Sequence, residues 1–346
     1  MIFTRSPDDF GHNLRNLGHS TTGQTRIFHD PENLTLRSYV DFHHACGMPA
    51  VLAPGAQQAW VPNAAHELCR VPLRCKEPPD AFMRRSVLEQ DRIWAGSFLT
   101  EPTPKFPANC FEYVCHESDY HLDNLAKNTR RDIRRGLRNF EVSICTWQEL
   151  ASMGIQAQND TMLRHGYRPY SKKQYLAMIR PFLHSPFHQI WGAWRGSDLS
   201  AWQIVVSLEN HAIIKMCRSM TSHLKWCPNN ALLYTSIGQL WENKNVKYIS
   251  YGLSSIQPHT DELAMHRYKT RMGFDAIPCH RTFFLRRPFK HLLAVGHYSG
   301  FWSLTGKILP RSEPLRKILG LSQFLTRDPG CSPAWISQLL AEPRAN

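Results

Sequence analysis

The sequence of residues 246–274, VKYISYGLSSIQPHTDELAMHRYKTRMGF, decides the fold class. Its first six residues predict a short buried strand, and 261–272 predict a helix with Thr260 as its N-cap and acidic residues in the first turn. Gly273 follows at the position where glycine commonly ends a helix. A second amphipathic helix, at 230–243 with Asn229 or Asn230 as its N-cap, directly precedes the strand. A strand placed between two helices indicates α/β layers rather than a helix bundle.

The chain upstream predicts further alternation of strands and helices. Turn residues at 195–198 and 209–211 separate three apolar runs, which predicts an antiparallel meander. We expect a mixed α/β fold with a central, mostly antiparallel sheet flanked by helices. The predicted strands are 110–115, 142–146, 189–194, 200–207, 212–218, 246–251 and 279–285, and the predicted helices are 122–139, 147–165, 171–183, 230–243 and 261–272.

The two ends of the chain differ from the middle. Nine prolines lie between 49 and 107, which predicts a loop-rich N-terminal lobe over 1–107 with short strands at 26–28, 50–53 and 93–98. The main domain is then expected at 108–287. Residues 288–346 form a basic, amphipathic extension with two interpretations: an interfacial membrane segment, or helices packed on the main domain.

The composition narrows the function classes. Hydrophobic residues make up 42% of the 346 residues, which excludes intrinsic disorder, and the net charge of +13 favours anionic partners. None of the ten cysteines forms a Cys-x-x-Cys pair, so we expect reduced thiols, a cytoplasmic location and no metal. The pairs His43/His44 and His184/His188 lack the further ligands that a zinc site needs.

Three segments resemble the FemAB-like branch of the GNAT acyltransferases, a group that includes BioF2-like proteins. They are LAKNTRRDIRR at 125–135, NDTMLRHG at 159–166, and the 246–274 segment with its Tyr-Lys pair followed by Met-Gly-Phe. The resemblance covers 110–287 and implies a GNAT fold, with the N-terminal lobe as a degenerate GNAT-like half. It also implies N-acyl transfer: an acyl or aminoacyl group moves from a thioester or ester donor to an amine.

The resemblance also implies where the donor binds. In such folds two neighbouring strands diverge, here 212–218 and 246–251, and the donor's phosphates meet the N-terminus of the following helix. Residues 219–231 contain no glycine, unlike the pyrophosphate loop of GNAT enzymes that bind coenzyme A. Acyl-CoA is therefore one donor candidate beside aminoacyl-tRNA or another acyl carrier. The predicted donor-binding residues are Met216, Arg218, Lys225, Asn229, Asn230 and Lys269, the last of which matches the family's lysine.

Acyl transfer needs a base, a donor to the leaving group and stabilisation of the intermediate. Asp261, Glu262 and His259 are candidate bases beyond the end of the strand, although acids in a first turn also stabilise the helix dipole. Tyr251 and Tyr268 are candidate proton donors, and Tyr268 is equally consistent with core packing.

The helix at 122–139 predicts a basic face that binds RNA phosphates or anionic head groups, or else simply faces solvent. Its anion-binding candidates are Lys127, Arg130, Arg131 and Arg134. This face supports a rival hypothesis from another class: a non-catalytic protein that binds tRNA, other RNA or an anionic membrane surface through the helix and the C-terminal tail. The sequence names neither the donor nor the acceptor, and it leaves the oligomeric state open.

Overall fold

The computed structural model describes residues 34–64, 66–73, 77–116, 120–183, 185–242, 246–255, 262–308, 312–326 and 332–341. The predicted short strand at 26–28 and the predicted N-cap Thr260 lie outside these residues. The strands are β1 (Val51–Leu52), β2 (Ala59–Ala64), β3 (Glu67–Val71), β4 (Ala95–Thr100), β5 (Cys110–Cys115), β6 (Glu141–Ile144), β7 (His188–Arg195), β8 (Asp198–Leu208), β9 (His211–Ser219), β10 (Tyr248–Leu253) and β11 (Asp275–Leu285).

Helices occur along the whole of the described chain and follow one another without intervening strands in its C-terminal part. They are α1 (Leu36–Ala45), α2 (Ala81–Glu89), α3 (Lys127–Asn139), α4 (Trp147–Arg164), α5 (Lys172–Ile179), α6 (Pro228–Glu242), α7 (Glu262–Arg271), α8 (Arg287–Tyr298), α9 (Phe301–Ile308), α10 (Glu313–Thr326) and α11 (Ala334–Ala341).

The described strands form one eleven-stranded sheet in the order β1-β2-β3-β4-β11-β5-β10-β9-β8-β7-β6. All neighbouring pairs are antiparallel except β3–β4 and β10–β9. The predicted mixed α/β fold with a mostly antiparallel sheet is therefore confirmed. The long strand β11 joins the two halves, because 275–279 pair with β5 and 280–285 pair with β4.

Helices cover the sheet on both faces. On one face α3 and α6 bury Ile133, Leu232 and Ile237 against the sheet. On the other face α4 and α5 bury Leu150 and Tyr175 beside Trp202 of β8. These apolar faces hold the strands of the central sheet in place.

The structure corrects several predicted boundaries. The predicted helix 122–139 is a short 3-10 turn at Leu122–Asn124 followed by α3, with extended backbone at Leu125 between them. The helix predicted at 171–183 ends early, as α5, because Pro181 leads the chain into a 3-10 turn. The strand predicted at 246–251 is β10, displaced by two residues, and the strand predicted at 279–285 begins four residues earlier, at Asp275.

The C-terminal segment forms the four helices α8 to α11. Trp335 of α11 packs against Phe111 of β5, with ring centroids 5.7 Å apart, and Phe324 of α10 packs against Phe283 of β11. Part of the extension is therefore packed on the sheet, as one of the two interpretations predicts. None of the described helices is long and apolar enough to cross a bilayer.

We expect Gly136→Ala to destabilise the protein by about 1–3 kcal/mol, because a core position without space must distort to accept a methyl group. A Cβ at Gly136 would lie 2.5 Å from the Cys227 carbonyl oxygen and 2.8 Å from the Ala231 Cβ, where α3 crosses α6. Denaturant unfolding measures the change.

Gly238→Ala is the matched control for that substitution. Gly238 lies inside α6, and a Cβ there would meet nothing within 4 Å. Alanine should raise the free energy of unfolding by roughly 0.5–1 kcal/mol through its better helix propensity. Equal effects at the two glycines would contradict the tight α3–α6 crossing.

Candidate active site

The parallel strands β9 and β10 separate soon after they begin to pair. Their register covers only three pairs, which are Tyr248 with His211, Ile249 with Ala212, and Ser250 with Ile213. Strand β9 continues to Ser219 and β10 continues to Leu253 without further pairing between the two. We call the opening between 214–219 and 251–253 the strand gap.

Irregularities in both strands lie at the start of the strand gap. In β9, Lys215 has no partner in β8, because Ile214 pairs with Val205 and Met216 already pairs with Ile204. In β10, Tyr251 and Gly252 together stand opposite a single β5 residue, and Gly252 has a φ of 68°. Bulges bend strands and end regular pairing, and glycine accepts positive φ at little cost, so these two features account for the separation.

A chain of side-chain contacts crosses the strand gap. The Tyr251 hydroxyl lies close enough to the Cys217 sulfur for each group to shift the other's pKa, and the Cys217 thiol donates a hydrogen bond to Asn229 Oδ1 at 3.8 Å. The Asn229 amide in turn donates to Ser219 Oγ at 3.1 Å. These contacts connect β10, β9 and the first turn of α6 where the backbone ladder is missing.

Burial keeps the groups at the strand gap neutral. It raises the pKa of Tyr251 well above its usual value, and the nearby Cys217 raises that pKa further. It also raises the pKa of Cys217, although the Tyr251 hydroxyl acts in the opposite direction. The pKa of Tyr268 is likewise raised by burial. Each of these groups therefore keeps its proton at neutral pH and acts as a donor, not a base.

Tyr268 brings to this cluster a hydroxyl that has no hydrogen-bond partner among the described residues. Its oxygen is buried, and the neighbours that act on its pKa include Cys217 and Tyr120. A buried hydroxyl without a partner is costly and calls for a functional explanation.

Lys269 is the cation of the cluster. Its Nζ donates to the Tyr251 carbonyl oxygen at 2.9 Å and lies over the rings of Tyr113 and Tyr251, 4.2 and 4.8 Å from their centroids. The side chain is buried, and burial lowers its pKa from 10.5 to about 8, while Glu262 acts in the opposite direction. At pH 7 it therefore still carries a positive charge.

The first turn of α6 follows the end of β9. The helix begins at Pro228, so the prediction that Asn229 or Asn230 caps it is wrong, and both lie inside the first turn. Cys227, with a φ of 61°, takes the left-handed conformation that a glycine would adopt without strain. A tight loop therefore forms here without the glycines of a pyrophosphate loop, and the first-turn N–H groups lack intrahelical partners.

Cations surround the loop that leads into α6. The Arg195 guanidinium lies 3.8 Å and the Lys225 Nζ 4.3 Å from the Trp226 ring centroid. Arg135 of α3 donates to the Lys225 carbonyl oxygen at 3.4 Å. The loop therefore presents positive charge beside the helix N-terminus, an arrangement that favours an anionic group.

The basic face of α3 continues from this loop. Arg130 lies 3.7 Å from Asp123 and Arg131 lies 3.4 Å from Asp132, so these two predicted anion-binding residues have acidic neighbours. Lys127 and Arg134 are exposed and form no ion pair among the described residues.

The remaining predicted site residues fall in different places. Asn230 lies next to Met272, whose sulfur accepts a 3.3 Å hydrogen bond from its side-chain amide. Met216 packs into the cluster around Trp202, and Arg218 donates to Gln158 of α4 at 2.7 Å. His259 and Asp261 lie outside the described residues. Among the described residues no group of three or more His, Cys, Asp or Glu side chains is placed to hold a metal ion.

The sequence analysis missed two charged residues inside the sheet. Lys215 donates to the Pro62 carbonyl oxygen of β2 at 3.4 Å, and burial lowers its pKa. Glu112 is fully buried in β5 and accepts a 3.0 Å hydrogen bond from Ser250 beside the β10 bulge. The available signal was a charged residue inside an apolar run, Glu112 in CFEYVC and Lys215 in AIIKMC, because a buried charge is expensive.

No family model matches the sequence, and no curated protein matches it either. Solved structures do match. FemX is 9% identical, with a TM-score of 0.51 over 75% of this chain and 94% of FemX. L-PGS from Bacillus licheniformis is 10% identical, with a TM-score of 0.45 over 79% of this chain and 97% of L-PGS. A tandem GNAT protein from the clavulanic acid biosynthesis pathway is 10% identical, with a TM-score of 0.44 over 74% of this chain and 93% of that protein.

These comparisons bear on the fold alone, because every identity is low, and the scores below 0.5 add no argument. The similarity to FemX extends over three quarters of the chain. The resemblance to the FemAB-like branch is therefore confirmed at the level of the fold, which is similar to that of FemX.

Proposed function

We propose that this chain is an N-acyltransferase that moves an acyl or aminoacyl group from a carrier-linked donor to an amine by direct attack. The observation that supports this most strongly is the strand gap, where β9 and β10 stop pairing after Ile213 and Ser250. Unpaired strand edges offer backbone N–H and C=O groups to an extended ligand, and the acyl donor takes that place.

The reaction is a single exchange at the donor carbonyl carbon. The amine nitrogen forms a C–N bond, the bond from the carbonyl carbon to the carrier sulfur or oxygen breaks, and the amine gives up one proton while the leaving group gains one. Tyr251 and Tyr268 are protonated at neutral pH and lie at the strand gap, so they are our proton donors to the leaving group. Lys269 stabilises the negative charge of the tetrahedral intermediate.

Removal of the amine proton is assigned to the segment that follows β10. The predicted bases His259 and Asp261 belong to that segment. Glu262, at the start of α7, is the carboxylate that raises the pKa of Lys269, and its Oε2 accepts a 3.0 Å hydrogen bond from the Ser255 N–H. We retain all three as candidate bases.

The donor is attached to an anionic carrier in this proposal. Lys225, Arg195 and Arg135 surround the N-terminus of α6, which supports binding of phosphate groups there. The exposed cations Lys127 and Arg134 extend the same charge along α3, as a carrier larger than coenzyme A would require. Aminoacyl-tRNA and acyl-CoA are both tested below.

Binding of the donor should raise the thermal stability of the full chain. At a ligand concentration 100 times Kd, the expected stabilisation is about 2.7 kcal/mol. Thermal unfolding is measured with acyl-CoA, coenzyme A, aminoacyl-tRNA and deacylated tRNA. We expect one acylated donor to stabilise the protein and Lys225→Ala to weaken that effect, while Arg37→Ala, at an exposed position of α1, leaves it intact.

The rival hypothesis makes the opposite prediction for these ligands. A non-catalytic RNA-binding protein would bind acylated and deacylated tRNA equally, with a steep salt dependence and no transfer to any amine. That result would contradict the proposed function.

Tyr268→Phe should lower the transfer rate without harming the fold. The substitution removes a buried hydroxyl that has no partner, so the free energy of unfolding should hold or rise by up to about 1 kcal/mol. Loss of a donor to the developing charge should reduce the rate roughly 100-fold. Transfer of a radiolabelled acyl group and denaturant unfolding measure the two quantities.

Tyr120→Phe provides the comparison for Tyr268→Phe. The Tyr120 hydroxyl donates to the Met272 carbonyl oxygen at 2.7 Å, so its loss should cost about 1 kcal/mol of stability. The transfer rate should change little. A full rate in Tyr268→Phe would remove this tyrosine from the proposed mechanism.

Lys269→Met should change how stability depends on pH. Below pH 8 the lysine is protonated in both states, and the folded protein bears the cost of burying the charge. Between about pH 8 and 10.5 the unfolded chain keeps the proton that the folded protein releases, so the stability contributed by this residue rises with pH. Lowering a lysine pKa from 10.5 to about 8 corresponds to about 3 kcal/mol.

The measurement is the difference in unfolding free energy between the native protein and Lys269→Met across pH 7 to 10.5. This difference cancels the titration of tyrosines and cysteines elsewhere in the chain. Over that interval the unfolding free energy of the native protein should rise relative to that of the variant by up to about 3 kcal/mol. Parallel curves would show that the lysine titrates normally and is not buried as a cation.

A further inference from the structure

Helices α8 and α9 turn an apolar surface outward. Six large apolar side chains on the two helices are each at least 49% exposed. We call this surface the α8–α9 apolar face, and it consists of Leu292, Val295, Tyr298, Phe301, Leu304 and Ile308. Monomeric proteins rarely leave so many neighbouring large apolar residues in water without a partner for them.

The orientation of this face is fixed by contacts on the inner side of the two helices. Trp302 of α9 is buried, and its indole N–H donates to the Leu293 carbonyl oxygen at 3.2 Å. Leu293 and Gly296 are buried on the inner side of α8. The spacing of Leu292, Val295 and Tyr298 places them together on the opposite side, at intervals of three residues.

The N-terminus of α8 is anchored to the rest of the molecule. Arg286 donates to the Leu88 carbonyl oxygen at 2.6 Å and to the Gln90 carbonyl oxygen at 2.9 Å. Phe289 packs against Trp94, with ring centroids 5.2 Å apart. The helix is therefore held at a defined place on the protein while its apolar side remains uncovered among the described residues.

The formal charges on α8 and α9 themselves are all positive. The two helices contain Arg287, Lys290 and Lys307 and no Asp or Glu. Arg287 precedes Val295 by eight residues, which places it on the same side of α8, and both Arg287 and Lys290 are exposed. Such a surface complements an anionic one and is repelled by a basic one.

We propose that the α8–α9 apolar face binds the surface of an anionic lipid bilayer. Apolar helix faces with flanking cations lie in the plane of a membrane, with aliphatic and aromatic side chains in the acyl boundary and cations among the head groups. The two helices are too short to span the bilayer, so the attachment is peripheral. The inference is independent of the proposed transferase activity.

Flotation of the full chain with lipid vesicles tests this inference. The vesicles contain phosphatidylcholine alone or phosphatidylcholine with 30% phosphatidylglycerol. The measured quantity is the fraction of protein that floats with the vesicles. The native protein should bind the anionic vesicles more strongly than the neutral ones, and salt should weaken that binding. Val295→Glu with Leu304→Glu should reduce binding at least tenfold, because two carboxylates then meet an anionic surface.

Ile144→Glu with Leu163→Glu is the matched control. Both residues are more than half exposed, like Val295 and Leu304, but lie on β6 and α4. This pair should leave vesicle binding unchanged. Leu292→Ser with Tyr298→Ser is a second, uncharged change on the face, which serves if the charged pair disturbs folding. It should weaken vesicle binding, but less than the charged pair does.

Three outcomes would overturn the proposal. The first is that the native protein does not bind anionic vesicles, and the second is that it binds them no better than both face variants do. The third is that light scattering shows a native dimer that becomes monomeric in Val295→Glu with Leu304→Glu. The last result would assign the face to a second copy of the chain. Co-sedimentation with RNA that depends on these residues would equally count against a lipid surface.

Discussion

The separation of β10 from β9 is the constraint on which the rest of the site depends. A parallel pair bonded along its whole length would leave no backbone edge for a ligand and no path between the faces of the sheet. Here the bulges at Lys215 and at Tyr251–Gly252 end the pairing after three residues. The Tyr251–Cys217 contact then joins the strands through side chains. A side-chain bridge can open for a ligand without breaking a backbone ladder, whose replacement would cost several hydrogen bonds.

The electrostatic character of the site follows from its burial. Low dielectric surroundings keep Tyr251, Tyr268 and Cys217 protonated, and they lower the pKa of Lys269 without neutralising it at pH 7. The result is several proton donors around one cation. Such a site stabilises negative charge that develops on a bound group, and the same charge in water would gain far less from the same contacts.

Local signals were sufficient to predict the elements that do not depend on distant partners. The helices predicted to begin at 147 and 171 begin at Trp147 and Lys172, and Gly273 follows α7 at its predicted end. The bulges were not predictable, because they exist only relative to the register of neighbouring strands that are far apart in the sequence. The left-handed Cys227 was missed because residues other than glycine seldom adopt this conformation, so no residue type in the loop marks it.

The sheet contains a second parallel pair, and the residues between its strands explain why only the β9–β10 gap is the candidate site. Strands β3 and β4 also pair over only three residues, 67–69 with 95–97. Beyond them the fully buried Arg70 reaches across, donating to the Leu99 carbonyl oxygen of β4 and to the Glu77 carbonyl oxygen. A buried guanidinium held by carbonyl oxygens occupies the place where a donor would insert, and expelling it would expose an uncompensated charge to an apolar interior. At the β9–β10 gap the neutral side chains of Tyr251 and Cys217 meet between the strands, and Lys269 Nζ donates to the Tyr251 carbonyl oxygen. The two short parallel pairs therefore differ in what spans the opening: a guanidinium in one, and a contact between two neutral side chains in the other. A contact between neutral side chains separates at a lower cost, which is why we place the candidate site at this gap.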